Sequence, residues 1–184
     1  MTSNIRELED CPVIIYNSGG NFLIKAVVVE YDPNEMLLEV SEELPGIRQG
    51  ERLLLLIIHS GGASEFSATA RKVYNGRREM SIFSERQREG RAALRHELNS
   101  PAVIQNVIVD NVRMALQQPL QVTVENLSST GALLKSVMRY FAIGNTLEIE
   151  VNIGGQDAML YGKVVREQLN RDNTVSYGCK FVFS

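Results

Sequence analysis

Arginine is concentrated in one short stretch of the sequence. Arg86, Arg88, Arg91 and Arg95 stand close together in a chain whose formal net charge is −3. Guanidinium is planar, always charged, and offers a rigid fork of donors that matches phosphate oxygens or a guanine edge. The stretch therefore predicts an anion site. The alternative is a solvated charged connector, in which neighbouring glutamates offset part of the charge.

A second polar cluster follows a predicted strand. The segment Asn126-Leu127-Ser128-Ser129-Thr130-Gly131 precedes the apolar residues 132–134. Asn and Ser side chains hydrogen-bond nearby backbone in tight turns, and glycine at position 131 permits a positive φ. An ordinary β-turn explains the same composition, so this cluster alone assigns no function.

The other reactive residue types argue against catalysis and against a metal. Cys11 and Cys179 are far apart in no metal-ligand spacing, and the chain has only two histidines. Ser128 lies in no nucleophile elbow, and there is almost no histidine to activate it. His96 is better explained as a solvated linker residue than as part of a binding site. We therefore expect no enzyme, no metal and no cofactor.

Short apolar or β-branched stretches, separated by turn residues, fill the first half of the chain. The predicted strands are Pro12–Tyr16, Phe22–Tyr31, Met36–Val40, Leu53–Ile58, Phe66–Val73 and Glu79–Phe83. Asn75-Gly76, between the last two, is a two-residue hairpin signal. This spacing suits a small closed barrel or sandwich.

The second half has the same all-β character, with predicted strands at Ala102–Val109, Leu120–Val124, Leu147–Ile153, Ala158–Arg166 and Val175–Phe183. In the third of these, apolar residues alternate with Glu148, Glu150 and Asn152, which predicts a half-buried strand with an acidic outer face.

Between the halves, Ser84–Asn99 is charged and lacks β-branched residues, which predicts a linker or a short helix. The predicted fold is all-β, with two small antiparallel β-barrels joined by this Arg-rich linker. The first domain is expected to span residues 1–84, and the second residues 85–184, including the linker.

No segment of the sequence suits a membrane or a secretion signal. Met1–Asp10 is polar and acidic, and no signal-peptide hydrophobic segment follows it. The longest apolar run, Leu53–Ile58, is far shorter than the about 20 residues that cross a bilayer. We expect a buried strand at Leu53–Ile58, no membrane insertion, and a cytoplasmic protein.

Taken together and in this order, three motifs resemble the signature of the PilZ domain family. They are Arg91-x-x-x-Arg95, Asn126-x-Ser128-x-x-Gly131, and the C-terminal Tyr177-Gly178-Cys179-Lys180-Phe181. The resemblance covers Arg86–Ser184, with the last motif similar to the family's closing strand. Residues 1–84 are similar in size and position to the N-terminal barrel of flagellar-brake PilZ proteins.

The resemblance implies a non-enzymatic receptor for cyclic di-GMP. Arg91 and Arg95 match the arginines that grip guanine edges and phosphates, and Asn126, Ser128 and Gly131 match the turn that holds a guanine. Asn126 stands where Asp is commoner, and Gly90 where many members have another arginine. The register of the arginine motif is thus open, and Arg88 and Arg86 are further candidates for ligand contact.

The family also implies how binding becomes a signal. The ligand would draw the linker onto the second barrel and change the arrangement of the domains. The output would be protein–protein contact with a partner such as the flagellar motor or the polysaccharide-secretion machinery, which would regulate motility or exopolysaccharide.

Two other functions remain open from the sequence. One is a PilZ-fold interaction adaptor that no longer binds cyclic di-GMP. The other is an RNA- or DNA-binding barrel that uses the arginines on a backbone. The second lacks the surface aromatics expected for base stacking, and the acidic residues Glu148 and Glu150 oppose it, so we expect no DNA or RNA partner.

Overall fold

A computed structural model describes residues 8–32, 35–40, 46–59, 62–73, 79–87 and 95–182, with residues 73 and 79–87 described by their backbone. Contacts divide the chain into two compact units, one holding most of residues 1–93 and the other most of residues 94–184. Within the described ranges, no helix is long and apolar enough to cross a membrane.

The first unit is a closed antiparallel barrel with the strand order β1-β2-β3-β6-β5-β4. Its strands are β1 (Pro12–Asn17), β2 (Phe22–Asp32), β3 (Glu35–Val40), β4 (Arg52–His59), β5 (Gly62–Val73) and β6 (Glu79–Gln87). Leu53–Ile58 is buried throughout, which confirms the predicted buried strand. Val13, Val28, Leu38 and Leu55 belong to the barrel core.

The predicted β1–β2 turn is confirmed in detail. The side-chain oxygen Oδ1 of Asn17 accepts hydrogen bonds from the backbone N–H groups of Gly19 and Asn21, each at 3.0 Å. Gly20 has a φ of 82°, which glycine adopts without a steric penalty. Turn chemistry that is local in sequence thus closes the first hairpin.

The second unit is a closed barrel with the strand order β10-β11-β12-β9-β8-β7. Its strands are β7 (His96–Val109), β8 (Val112–Ser128), β9 (Gly131–Ser136), β10 (Thr146–Ile153), β11 (Gln156–Leu169) and β12 (Val175–Phe181). Fully buried side chains such as Ile104, Val124, Leu134, Ile149 and Tyr177 fill its interior. The all-β fold of two antiparallel barrels is as predicted.

Strand pairing extends into the predicted linker from both sides. Ser84–Gln87 belongs to β6, and His96–Asn99 belongs to β7. The prediction of a linker or helix at these residues is wrong, because hydrogen bonding across each barrel overrides a composition that is poor in strand formers. Residues 88–94 lie outside the described part of the chain.

The acidic outer face predicted for β10 is only partly correct. Glu148 is 5% exposed, although the alternation of the sequence places it outside. Arg113 on β8 donates to it from Nε at 2.7 Å and from Nη2 at 2.9 Å, and Asn106 on β7 donates at 2.9 Å. The bond from Arg113 lowers the pKa of Glu148, so the carboxylate joins three strands rather than facing water.

Candidate functional site

Antiparallel pairing brings the start of β7 beside the end of β8. His96 pairs with Leu127, and Glu97 pairs with Asn126. Arg95 directly precedes His96 and is exposed. The second barrel therefore holds Arg95 next to the Asn126–Gly131 segment, although the sequence separates them.

The other predicted arginines are less fully described. Arg86 lies in β6, in the first unit, and only its backbone is described. Arg88 and Arg91 lie outside the described residues. The roles assigned to these arginines from the sequence stay predictions.

Both strand pairings that position Asn126 are irregular. The β7–β8 register shifts between Glu97 and Ser100, and Asn99 in this interval has a φ of 48°. The β8–β9 register shifts between Val124 and Asn126. Such bulges bend a strand and re-aim its side chains. Asparagine tolerates a positive φ, so Asn99 is a signal in the sequence for this irregularity, although the predicted linker at Ser84–Asn99 did not include a bulge.

The hydroxyl of Ser128 organises the β8–β9 hairpin. It accepts from the backbone N–H of Thr130 at 3.3 Å, and it lies 3.3 Å from the Gly131 carbonyl, to which it can donate. The Thr130 carbonyl accepts from the N–H of Phe181 at 3.0 Å, which ties the turn to β12. Ser128 is buried. The structural use of its hydroxyl indicates that Ser128 shapes the turn.

Gly131 is required for a reason other than the predicted one. Its φ is not positive, although glycine would permit that. A Cβ at this position would lie 2.1 Å from the carbonyl oxygen of Cys179. Gly131 thus permits the close approach of β9 to β12 at the base of the hairpin.

Two polar side chains at this site have no partner among the described residues. The amide of half-buried Asn126 and the guanidinium of exposed Arg95 each lie beyond hydrogen-bond and ion-pair distance of the described groups. An amide supplies one acceptor oxygen and two donors, and a guanidinium supplies donors only. Together they can hold a ligand that carries both an anionic group and a mixed donor–acceptor edge.

The histidine beside Arg95 is not solvated, contrary to prediction. His96 is 4% exposed and lies in β7. Burial lowers its pKa, because the imidazolium form loses hydration. A buried residue thus lies directly beside Arg95, and no periodic pattern indicates its burial so close to the predicted linker.

The cysteine and tyrosine of the C-terminal motif are buried. Cys179 packs as a small hydrophobic residue, as predicted, and burial raises the pKa of its thiol to about 12. The Tyr177 hydroxyl accepts from the backbone N–H groups of Tyr140 at 2.9 Å and Phe141 at 3.3 Å. The motif thus contributes packing beneath the site and fixes the loop between β9 and β10.

The chain is similar to several solved structures. MrkH of K. pneumonia in complex with c-di-GMP is 14% identical, with a TM-score of 0.40 and coverage of 95% of this chain and 80% of that one. YcgR of Escherichia coli in complex with c-di-GMP is 15% identical, with a TM-score of 0.38 and coverage of 97% and 79%. The Bacillus subtilis inhibitor of motility, MotI, is 12% identical, with a TM-score of 0.40 and coverage of 95% and 88%.

No match was found among curated protein sequences. The family model described as the PilZ domain matches residues 85–183, which is more than half of the chain. The matched segment contains Arg95, the Asn126–Gly131 hairpin and the Tyr177–Phe181 motif on β12. The protein is therefore a member of the PilZ domain family.

Proposed function

We propose that this protein is a cyclic di-GMP-binding effector whose ligand site lies at the start of the PilZ barrel. Arg91 and Arg95 would grip the ligand from the Arg-rich segment, with Arg88 and Arg86 as further contacts. Asn126, Ser128 and Gly131 would form the other side. The observation that carries the proposal is the β7–β8 register, in which Glu97 pairs with Asn126 immediately after Arg95.

The chemistry of the available groups fits this ligand. Cyclic di-GMP carries two phosphates and two guanines, which need cationic forks and a few directional polar groups. The Arg95 guanidinium can donate to a phosphate or to a guanine O6 and N7. The Asn126 amide can meet the donors and acceptor of a guanine edge, while Ser128 holds the hairpin in shape.

We propose that the site binds a ligand and catalyses no reaction. We propose 85–184 as the PilZ domain, including the Arg-rich segment, and residues 1–84 as the flagellar-brake-like domain. Neutralising the ligand's phosphates with these arginines would change the arrangement of the domains. The output would be contact with a protein of the flagellar motor or the polysaccharide-secretion machinery in the cytoplasm.

Exposed apolar side chains support an output through protein contact. Val137, Met138 and Ile143, on the loop between β9 and β10, are exposed. The two hydrogen bonds to Tyr177 fix the backbone of this loop. Large exposed apolar side chains clustered in one place are typical of interaction surfaces.

Calorimetric titration with cyclic di-GMP tests the proposal. Arg91→Ala and Arg95→Ala should each lower the affinity at least about tenfold, since a hydrogen bond to a charged group contributes about 1.5–3 kcal/mol. Asn126→Ala should lower it about fivefold, since a neutral hydrogen bond contributes about 1 kcal/mol. Arg171→Ala is the matched control. Arg171 lies in the turn before Val175, at the end of β12 where Val175 pairs with Ser136. The hairpin is at the opposite end of β12, where Lys180 pairs with Gly131. The affinity of Arg171→Ala for cyclic di-GMP should equal that of the wild type.

Undiminished affinity in both arginine variants would refute the site. Absence of heat with folded wild-type protein at high ligand concentration would instead favour the adaptor that no longer binds cyclic di-GMP.

A further inference from the structure

The outer face of the PilZ barrel continues past the Asn126–Gly131 hairpin as a row of paired residues. Gly131 on β9 pairs with Lys180 on β12, and Lys180 pairs with Lys163 on β11. Both lysines are exposed, whereas the neighbouring Cys179 and Val164 are buried. Because side chains alternate along a strand, the two lysines lie on the outside of the barrel.

A second row runs parallel to the first. Asn126 pairs with Leu133, Leu133 with Gly178, and Gly178 with Arg166. A Cβ at Gly178 would lie 3.3 Å from Nε and 3.7 Å from Nη2 of Arg166, so the guanidinium lies over this glycine. Gly131 and Gly178 have hydrogen in place of a side chain, so the outer surface of the barrel is not raised by side chains at these two positions. This glycine floor lies between the hairpin and the basic side chains of β11 and β12.

These basic side chains are not neutralised by the barrel. No carboxylate among the described residues lies at ion-pair distance of Lys163, Arg166 or Lys180. By contrast, Lys135 and Arg139 on the same barrel are paired with Asp172 and Glu167. Lys163 and Lys180 are also directly opposite each other, and like charges in that position destabilise a sheet. An anion bound between them would relieve this repulsion.

The cluster stands on the far side of the hairpin from Arg95. Around the barrel, β8 and β9 lie between β7, which follows Arg95, and the β12–β11 pair. The Arg166 guanidinium lies over Gly178 on β12, which is two strands from Asn126, about 10 Å along the sheet at about 4.8 Å per strand. Cationic groups therefore lie on both sides of the hairpin, Arg95 before β7 and the basic side chains of β11 and β12 beyond β9.

We propose that Lys163, Arg166 and Lys180 form a second anion subsite, which takes a phosphodiester group of the cyclic dinucleotide across the glycine floor. The proposal rests on the proposed function and extends it to side chains of β11 and β12. The phosphodiester belongs either to the molecule whose guanine Asn126 contacts or to a second molecule stacked on it.

Titration calorimetry with cyclic di-GMP on Lys163→Gln, Arg166→Gln, Lys180→Gln and the triple variant tests the subsite. Each single change should weaken binding about fivefold, and the triple change more than about tenfold, as exposed ion pairs contribute up to about 1 kcal/mol each. Arg171→Gln removes the same charge at the other end of the barrel and should bind as the wild type. Lys180→Arg keeps the positive charge and should retain most of the wild-type affinity.

Thermal unfolding without ligand separates lost binding from lost folding. Because Lys163 and Lys180 repel each other, Lys180→Gln should have a Tm equal to or above that of the wild type. Lower affinity together with an undiminished Tm is the combination expected of a ligand-binding residue.

The ligand stoichiometry distinguishes the two sources of the phosphodiester. A fall from two ligands per chain to one in the triple variant assigns the subsite to a second molecule. Weaker binding at unchanged stoichiometry assigns it to the same molecule. If the triple variant binds as the wild type does while Arg95→Ala binds weakly, the subsite is overturned and the proposed function stands. If the wild type itself does not bind, both are overturned.

Discussion

At the scale of single residues, Gly131 is a glycine of the family motif whose structural requirement differs from the one that the local sequence suggests. The motif has glycine at this position, and tolerance of a positive φ is the explanation that the turn sequence by itself suggests. The structure instead has the Cys179 carbonyl where a Cβ would lie. A contact between strands that are far apart in sequence leaves no periodic or turn-type signal, so this reason was beyond sequence reasoning.

Gly131→Ala should destabilise the PilZ barrel by about 1–3 kcal/mol, the usual cost of overpacking, because β9 and β12 must move apart. Urea denaturation measures the change. Gly178→Ala is the control, since its Cβ would meet only the flexible Arg166 side chain, at 3.3 Å or more. Equal stability of the two variants would contradict the close-approach explanation.

The buried His96 makes the stability of the barrel depend on pH. Its pKa is lowered from 6.5 by burial, so the unfolded chain binds a proton at a higher pH than the folded one. The stability contributed by neutral His96 is thus present above about pH 6.5 and is lost as the pH falls toward the folded pKa.

The Tm of the wild type should therefore fall between pH 7 and pH 5, and His96→Gln should flatten this dependence. Thermal unfolding monitored by circular dichroism at several pH values measures the slope. His59→Gln, on β4 of the first barrel, should leave the contribution of His96 in place. A slope in His96→Gln equal to that of the wild type would show that another group titrates.

At the scale of elements, β12 supports both ends of its barrel. Lys180 pairs with Gly131 beside the hairpin, and the hydroxyl of Tyr177 accepts two backbone N–H groups of the β9–β10 loop. The ring of Phe141 packs against Tyr177 with centroids 5.3 Å apart. The closing strand therefore organises the barrel as well as completing it.

Tyr177→Phe should lower the stability of the barrel by about 1–3 kcal/mol, because the N–H groups of Tyr140 and Phe141 lose their acceptor. Amide hydrogen exchange should become faster at these two residues in particular. Tyr140→Phe, which removes an exposed hydroxyl, is the matched control and should leave the exchange of Phe141 unchanged. Unaltered protection in Tyr177→Phe would show that packing alone fixes the loop.

At the scale of the whole molecule, the proposed signal is a change in the arrangement of the two barrels. Small-angle X-ray scattering with and without saturating cyclic di-GMP should give different profiles, because a ligand held by the Arg-rich segment and the PilZ barrel would change the arrangement of the domains. Arg95→Ala at the same ligand concentration should remain close to the ligand-free profile. Identical wild-type profiles at saturation would reject the rearrangement and leave binding intact.

The sequence alone determined the all-β class, most strand positions and the family. Alternating apolar residues and turn residues such as Asn17–Gly20 depend on neighbours in the chain, so they can be read from it. The bulge at Asn99, the hairpin between β7 and β8, and the strand character of Ser84–Gln87 were not predicted.

The tertiary structure alone decided which residues meet. Register brings Arg95 beside Asn126, buries His96 and Glu148, and aligns Lys163 and Lys180 with Gly131. Register follows from the closure of the whole barrel and from bulges within it, because every strand must satisfy two neighbours at once. Residue types and spacing predicted which groups could bind an anion, whereas only the closed sheet could determine their order across its surface.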